Sequence, residues 1–335
     1  MKTTLRPFVK KNKEKISSFR LSGNYMTIPY LLDHIEEIKW SYFMENATED
    51  SFDIIFHNKN TFMEYMVKDY PFVDSIYFEI QFWKVICKIT PDLEILEKNQ
   101  SQIYWCYVSQ NIHAIPFLEK NLNKINWFQL STNIHAIPIL EQNIDKIQWP
   151  QLSGNTHAIS LLEKHLDKID WLYLSGNINA ISILEKNQDK INWYMLSGNI
   201  NAISILEKNL SRVYWYVLSG NINAIPILEK NLDRINWCAL SRNCNALSIL
   251  EKNQSNIDWY MLSSNCNAIS ILEENIDKIV WHEITRNINI FVYDYDYYKK
   301  RMDIHREELM KKVFHPRRLI YYLERGYDFY DINDI

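Results

Sequence analysis

Trp83, Trp105, Trp127, Trp149, Trp171, Trp193, Trp215, Trp237, Trp259 and Trp281 stand 22 residues apart with no break in register. A period of this size constrains the fold more than any composition does. It marks a solenoid, in which each short unit buries its apolar side against its neighbours. One further copy, "LSGNYMTIPYLLDHIEEIKW" from Leu21 to Trp40, precedes the series. The stretch "SFDIIFHNKNTFMEYMVKDYPFVDSIYFEI" that follows it loses the phase and reads as diverged units.

Counting each Trp as position 0, Leu holds position 13 from Leu96 to Leu272, Ile or Leu position 10, Ile or Val position 20, and Ala most of position 9. Apolar residues at positions 9, 12 and 13 fall on one side of a helix. Asn at position 16 suits a left-handed helix end. Ser, Asn or Asp at position 18 and Asn at position 8 are N-cap candidates. Pro116, Pro138 and Pro226 at position 11 fit a first helical turn, and Gly154, Gly176, Gly198 and Gly220 sit at position 5, past the second helix. The unit therefore reads as two short helices, "NAISILEK" and "DKINWYMLS", too short to persist without stacking. Each tryptophan can remove roughly 150–250 Å² from water, so the ten form the predicted structural spine.

The predicted fold is all-α, an α-solenoid of about ten or more two-helix repeats with a helical C-terminal cap. Its rival is a leucine-rich-repeat-like solenoid, whose period can also be 22. Against the rival, position 1 varies freely and position 8 is Asn or His. The expected domains are an N-terminal cap over 1–82, with one recognisable repeat (18–39) and irregular units, regular repeats over 83–290, and the C-terminal cap over 291–335. That last segment reads as a long amphipathic helix and then a second one from Pro316 to near Gly326.

The unit "LSGNINAISILEKNLDKINW" and the tail "RMDIHREELMKKVFHPRRLIYYLERGYD" resemble uncharacterised tandem-repeat proteins of giant viruses of the mimivirus type. The resemblance implies a viral protein located in the host cytoplasm or viral factory, with packaging in the virion as a further expectation. It brings no catalytic motif.

Few chemistries fit the sequence. Net charge is −4 and no apolar run is long enough to span a membrane, so no membrane partner is expected. There is no phosphate loop, nucleophile elbow or metal-spaced Cys/His cluster. No enzyme activity, cofactor, metal or small-molecule substrate is expected. His113, His135 and His157 share position 8, and Cys244 and Cys266 share position 7. Helices pack about 8–10 Å apart, too far for adjacent rungs to share a zinc ion or form a disulfide. Five cysteines without framework spacing suit a reducing compartment. The Glu–Lys pairs at positions 14 and 15 read as a solvated face, and the Ser and Asn ladders at positions 4 and 6 as turn hydrogen bonding.

The variable columns are positions 1 and 2. They contain the candidate partner-binding residues Tyr107, Phe128, Tyr173, Tyr194, Met195, Tyr216, Tyr260 and Met261. Tyr and Met favour protein interfaces, so the leading expectation is a non-catalytic scaffold or adaptor binding a viral or host protein. A single-stranded RNA reader is the alternative, with position 1 aromatics stacking bases and the position 19 cations, Lys124 to Arg234, on phosphates. The basic block Lys299 to Arg318 is a second candidate for nucleic acid. A structural virion component is a third reading.

Overall fold

The computed structural model describes residues 3–16, 22, 28, 31, 38–70, 72–293, 299, 300 and 302 of the chain. It is an all-α solenoid of successive two-helix repeats, with a single two-stranded sheet among the described residues. No strand occurs within the repeats, so the leucine-rich-repeat alternative is excluded. Two compact units are present, residues 7–290 and residues 1–6 with 291–335.

One repeat illustrates the rest. A helix Trp171–Gly176 is followed by a helix Ile181–Lys186, a 3-10 turn Gln188–Lys190 and the next Trp helix, Trp193–Gly198. The predicted second helix "DKINWYMLS" is thus two pieces. Buried Ile191 is extended, with φ −63° and ψ 129°, and Asn192 then starts the Trp helix by accepting a hydrogen bond from the Met195 N–H. The N-cap lies at position 21, where Asp170, Asn126, Asn236 and Asp258 act in the same way. Position 18 lies inside the 3-10 turn instead. Position 8 is not a cap either, since Ala at position 9 precedes the other helix without a side-chain cap bond. Nor is the position 16 Asn left-handed. Asn187 has φ −132°, and its amide donates to the Ile183 carbonyl four residues back, capping the helix through its side chain.

The constant polar columns join the rungs. Ser175 is fully buried, donates to the Trp171 carbonyl at 2.7 Å, and accepts from the Asn192 N–H at 2.9 Å. It thereby ties the end of one Trp helix to the start of the next. The buried Asn199 donates to the carbonyls of Ser175 at 3.1 Å and Asn177 at 3.0 Å in the preceding repeat, while its carbonyl oxygen accepts from the Asn201 N–H. The full pattern recurs from Asn133 to Asn265, and a partly exposed ladder runs beside it from Asn179 to Asn289, Asn201 donating to the Ile178 carbonyl, for example. Buried turn carbonyls that no helix can satisfy are paired in this way.

The apolar core is built on aliphatic residues. Leu at positions 3 and 13 and Ala at position 9 are fully buried through the regular array, as with Leu174, Leu184 and Ala180. The predicted tryptophan spine needs correction, because most of these Trp residues are only half-buried; Trp83 and Trp193 are the two well-buried members of the ten. As the first residue of its helix, each Trp lies at the margin of the stack.

Before Trp83 the helices are irregular in length, with Lys59–Asp69 and Ser75–Ile89 longer than any repeat helix. The core there is aromatic, Trp40 packing edge-on against Phe43 and Phe62, and Phe82 against Trp83. The described positions of the copy over 18–39 keep the repeat's features. Leu31 and Ile38 are buried, and Ser22 accepts from the Lys39 N–H 17 residues on, as Ser175 does from Asn192.

Residues 7–16, grouped by sequence with the N-terminal cap, do something else. In the repeat frame they are positions 11 to 20: Pro7 at 11, Phe8 and Val9 at 12 and 13, Asn12 at 16, Lys15 at 19. They form a helix Pro7–Lys10 and a 3-10 turn Lys13–Lys15, with Phe8 and Val9 buried and Asn12 donating to the Phe8 carbonyl. The repeat begun at Trp281 leaves the frame at position 10, where Phe291 enters a strand. Lys15 lies 5.2 Å over the Trp281 ring, the place a position 19 cation takes elsewhere. The N-terminal half-repeat thus supplies the half that the last repeat lacks.

In the other unit, Thr3–Leu5 pairs antiparallel with Phe291–Tyr293, Thr3 opposite Tyr293. The segment predicted as a helical cap therefore opens as a strand. Its helix from Pro316 lies outside the described residues.

Replacing Asn199 by Ala leaves the Ser175 carbonyl and the Asn201 N–H unpaired and takes one of two donors from the Asn177 carbonyl, which keeps the Ala180 N–H, at an expected cost of about 2–4 kcal/mol in urea unfolding. Asn201→Ala, on the exposed ladder, costs about 0.5–1 kcal/mol. Deleting residues 1–17 bares the flank of the last repeat, and light scattering should find self-association above that of the full chain.

Candidate interaction face

The repeat geometry sorts the variable side chains. Position 1 follows Trp on a short helix whose buried side is set by positions 3 and 4, so it turns outward. Phe128 is 48% exposed, Tyr194 50%, Tyr216 62% and Tyr260 43%, and Leu172 is equally open. Position 2 is mixed. Tyr173 is exposed, while Tyr107, Met195 and Met261 are half-buried. Met195 reaches back to Gly176, where a Cβ would stand 3.2 Å from its terminal methyl. Gly176 and Gly198 thus make room for the next repeat's position 2, whereas Gly154 and Gly220 have no such close neighbour there.

Three aromatics gather. Tyr194 and Tyr214 meet edge to face at 5.4 Å between centroids, with Tyr216 exposed on the same helix as Trp215. Sequence reasoning missed Tyr214. Its signal was its place at position 21, where it displaces the capping Asn or Asp and makes no cap bond. A groove of about 420 Å³ lies beside this cluster, lined by Tyr194, Tyr216, Cys238, Ala239, Arg242 and Met261. Tyr107 is separate. It lines a cavity of about 290 Å³ with Met44, Phe62 and Lys84. Phe128 and Tyr173 line neither of these two cavities.

The position 19 cations are committed to the fold. Lys124, Lys146, Lys190, Arg212, Arg234 and Lys278 lie over the rings of Trp105, Trp127, Trp171, Trp193, Trp215 and Trp259, at 4.2–5.4 Å from the centroids. Each such contact contributes about 0.5–2 kcal/mol, depending on its desolvation. Of the cations that the RNA reading set on phosphates, Lys124 to Arg234, all but Lys168 lie over tryptophan rings. Exposed pairs such as Lys120–Glu97 and Lys164–Glu141 link adjacent repeats and add little stability. The basic block from Lys299 to Arg318 lies outside the described residues apart from Lys299, Lys300 and Met302.

Cys244 and Cys266 form a disulfide, with a Cα separation of 5.9 Å, contrary to the expectation of free thiols. Helix diameter sets the spacing of helices, but Asn243 and Asn265 draw the turns together by direct hydrogen bonds across the rungs. Two of the three free thiols have their thiolates disfavoured. Burial pushes Cys87 up, against a hydrogen bond from the Tyr104 N–H, and Cys238 is raised by burial and by Asp258. A nucleophilic cysteine needs the opposite shift. Cys87 holds position 4, and its sulfur replaces the serine hydroxyl that elsewhere anchors the next Trp helix. Among the described residues no three metal-binding side chains cluster, and His113 pairs instead with Glu49 at 2.9 Å.

Iodoacetamide should label Cys106 first. Cys238, its thiolate disfavoured, should follow slowly at neutral pH and speed up above the ordinary thiol range. Cys87 should react only on unfolding, and peptide mass mapping without reductant should find Cys244 joined to Cys266. Comparison with protein-family models, curated proteins and solved structures finds no match to this chain.

Proposed function

We propose that the protein is a non-catalytic scaffold that binds a protein partner through its position 1 and 2 side chains. The observation that carries this reading is the row of exposed Phe128, Leu172, Tyr194, Tyr216 and Tyr260 at one position of a rigid repeat. Burying such side chains against a partner is favourable, and aromatic residues on a fixed backbone lose little freedom on binding. Neither raised thiols nor scattered surface carboxylates support catalysis. No helix among the described residues is long and apolar enough to cross a membrane.

The resemblance to giant-virus repeat proteins supplies the proposed setting, a viral or host partner in the host cytoplasm or viral factory. RNA binding is less well supported, because all but one of the position 19 cations it would use are held over tryptophan rings. A structural role in the virion would use the same face against other particle proteins.

The test is affinity capture of the tagged full-length chain from infected cells, with and without ribonuclease. A defined protein partner should survive ribonuclease and be lost from a Tyr194→Ala, Tyr216→Ala, Tyr260→Ala variant whose thermal melt is unchanged. Recovery of RNA alone, or retention of the partner by the triple variant, would sink the proposal.

A further inference from the structure

We infer that the ring of Trp237 is a receptor for an arginine side chain of the protein partner, an inference that rests on the scaffold reading above. The argument is internal to the array. Six tryptophans are covered by the cation at position 19 of their own repeat. Where that column fails, another group takes its place. Trp83 has Gln102 at position 19 and is covered by Lys59. Trp281, whose repeat is incomplete, is covered by Lys15. At Trp149, His165 lies over the indole at 5.1 Å while Lys168 reaches toward Asp167.

Trp237 is the exception. Its position 19 residue is Asn256, and among the described residues no cation or ring lies over it. The adjoining turn, Gln254–Asn256, has no charged side chain, whereas the flanking turns carry Asp233 with Arg234 and Asp277 with Lys278. The half-buried indole is thus prepared for a cation by the same backbone that holds the others, and the chain supplies none.

A second observation falls in the same repeat. Positions 1 and 2 are Cys238 and Ala239, small residues between Tyr216 and Val217 on one side and Tyr260 and Met261 on the other. They form the floor of the groove beside Tyr194 and Tyr216. One repeat therefore carries both the uncovered indole and two small residues of the groove, whose lining does not include Trp237 itself. Arginine is the better occupant. The two position 19 arginines bracket the lysines in distance, Arg212 at 4.2 Å from the Trp193 ring and Arg234 at 5.4 Å from that of Trp215, so the preference rests on the shape of the group. A planar guanidinium stacks on an indole where an ammonium presents a point charge.

The test uses the full chain labelled with 5-fluorotryptophan, with Trp237→Phe identifying the Trp237 resonance. N-acetyl-arginine amide is the probe, and N-acetyl-citrulline amide is its uncharged isostere. The Trp237 signal should move with the arginine derivative and stay with citrulline, while the covered tryptophans stay in both. Asn256→Lys, which restores the column's own cation, should abolish the movement and weaken the captured partner by about 2- to 30-fold. No movement at Trp237, equal movement with citrulline, or persistence in Asn256→Lys overturns the inference. If the partner is captured through the tyrosines while Trp237 is silent, the inference fails and the scaffold reading stands. If Trp237 responds and no protein partner exists, the partner named here is wrong.

Discussion

The structure depends on the pairing of backbone carbonyls between one turn and the next. A repeat of two short helices has many polar ends, and in a stack most of these ends are buried. Asn at position 6 resolves this by facing two ways. Its amide reaches two carbonyls of the repeat behind, and its own carbonyl closes the local turn. Aliphatic packing supplies the larger stabilisation but tolerates sliding. The directional bonds set the rung spacing and register, and that spacing lets a cysteine pair on adjacent turns bond.

The edge of the stack follows a different rule. A tryptophan that begins a helix of the regular array is, Trp193 apart, only half enclosed by a unit this small, and in six repeats its ring is covered by a cation from the turn that follows. The long alkyl stem of Lys or Arg lies along the ring while the charge stays wet. The recurring Lys or Arg is thus part of the fold, and its constancy has a structural reason. What remains variable is a narrow row beside the tryptophans.

Much of this was legible because the chain aligns with itself. The period, the helix pair, the aliphatic columns and the outward turn of position 1 all follow from which residues stay constant. The reasons for constancy were less legible. Asn at position 16 looked like a left-handed cap, yet it closes its helix through its amide, because residue type alone does not distinguish the two. The Ser at position 4 bonds 17 residues onward, a distance no local motif encodes. Position 19 looked free for a ligand because the frame gives order along the chain but not which side chain folds back on which ring. Tyr214 was overlooked because it stands in a column that is otherwise polar. The disulfide was misjudged by applying a helix-to-helix distance to turns.

The split last repeat has a consequence for how the molecule is made. Most repeats can pack as soon as their predecessor has left the ribosome, since their contacts are local. Residues 7–16 cannot, because the half-repeat they complete is translated only after all the regular repeats. The N-terminal segment must therefore wait, its Phe8 and Val9 uncovered, until the repeat begun at Trp281 has been made. During that interval it is free to complete the last repeat of a different molecule. At high expression, exchange between nascent chains is thus the characteristic misassembly of this architecture, and a slow, length-dependent closing step is its kinetic signature.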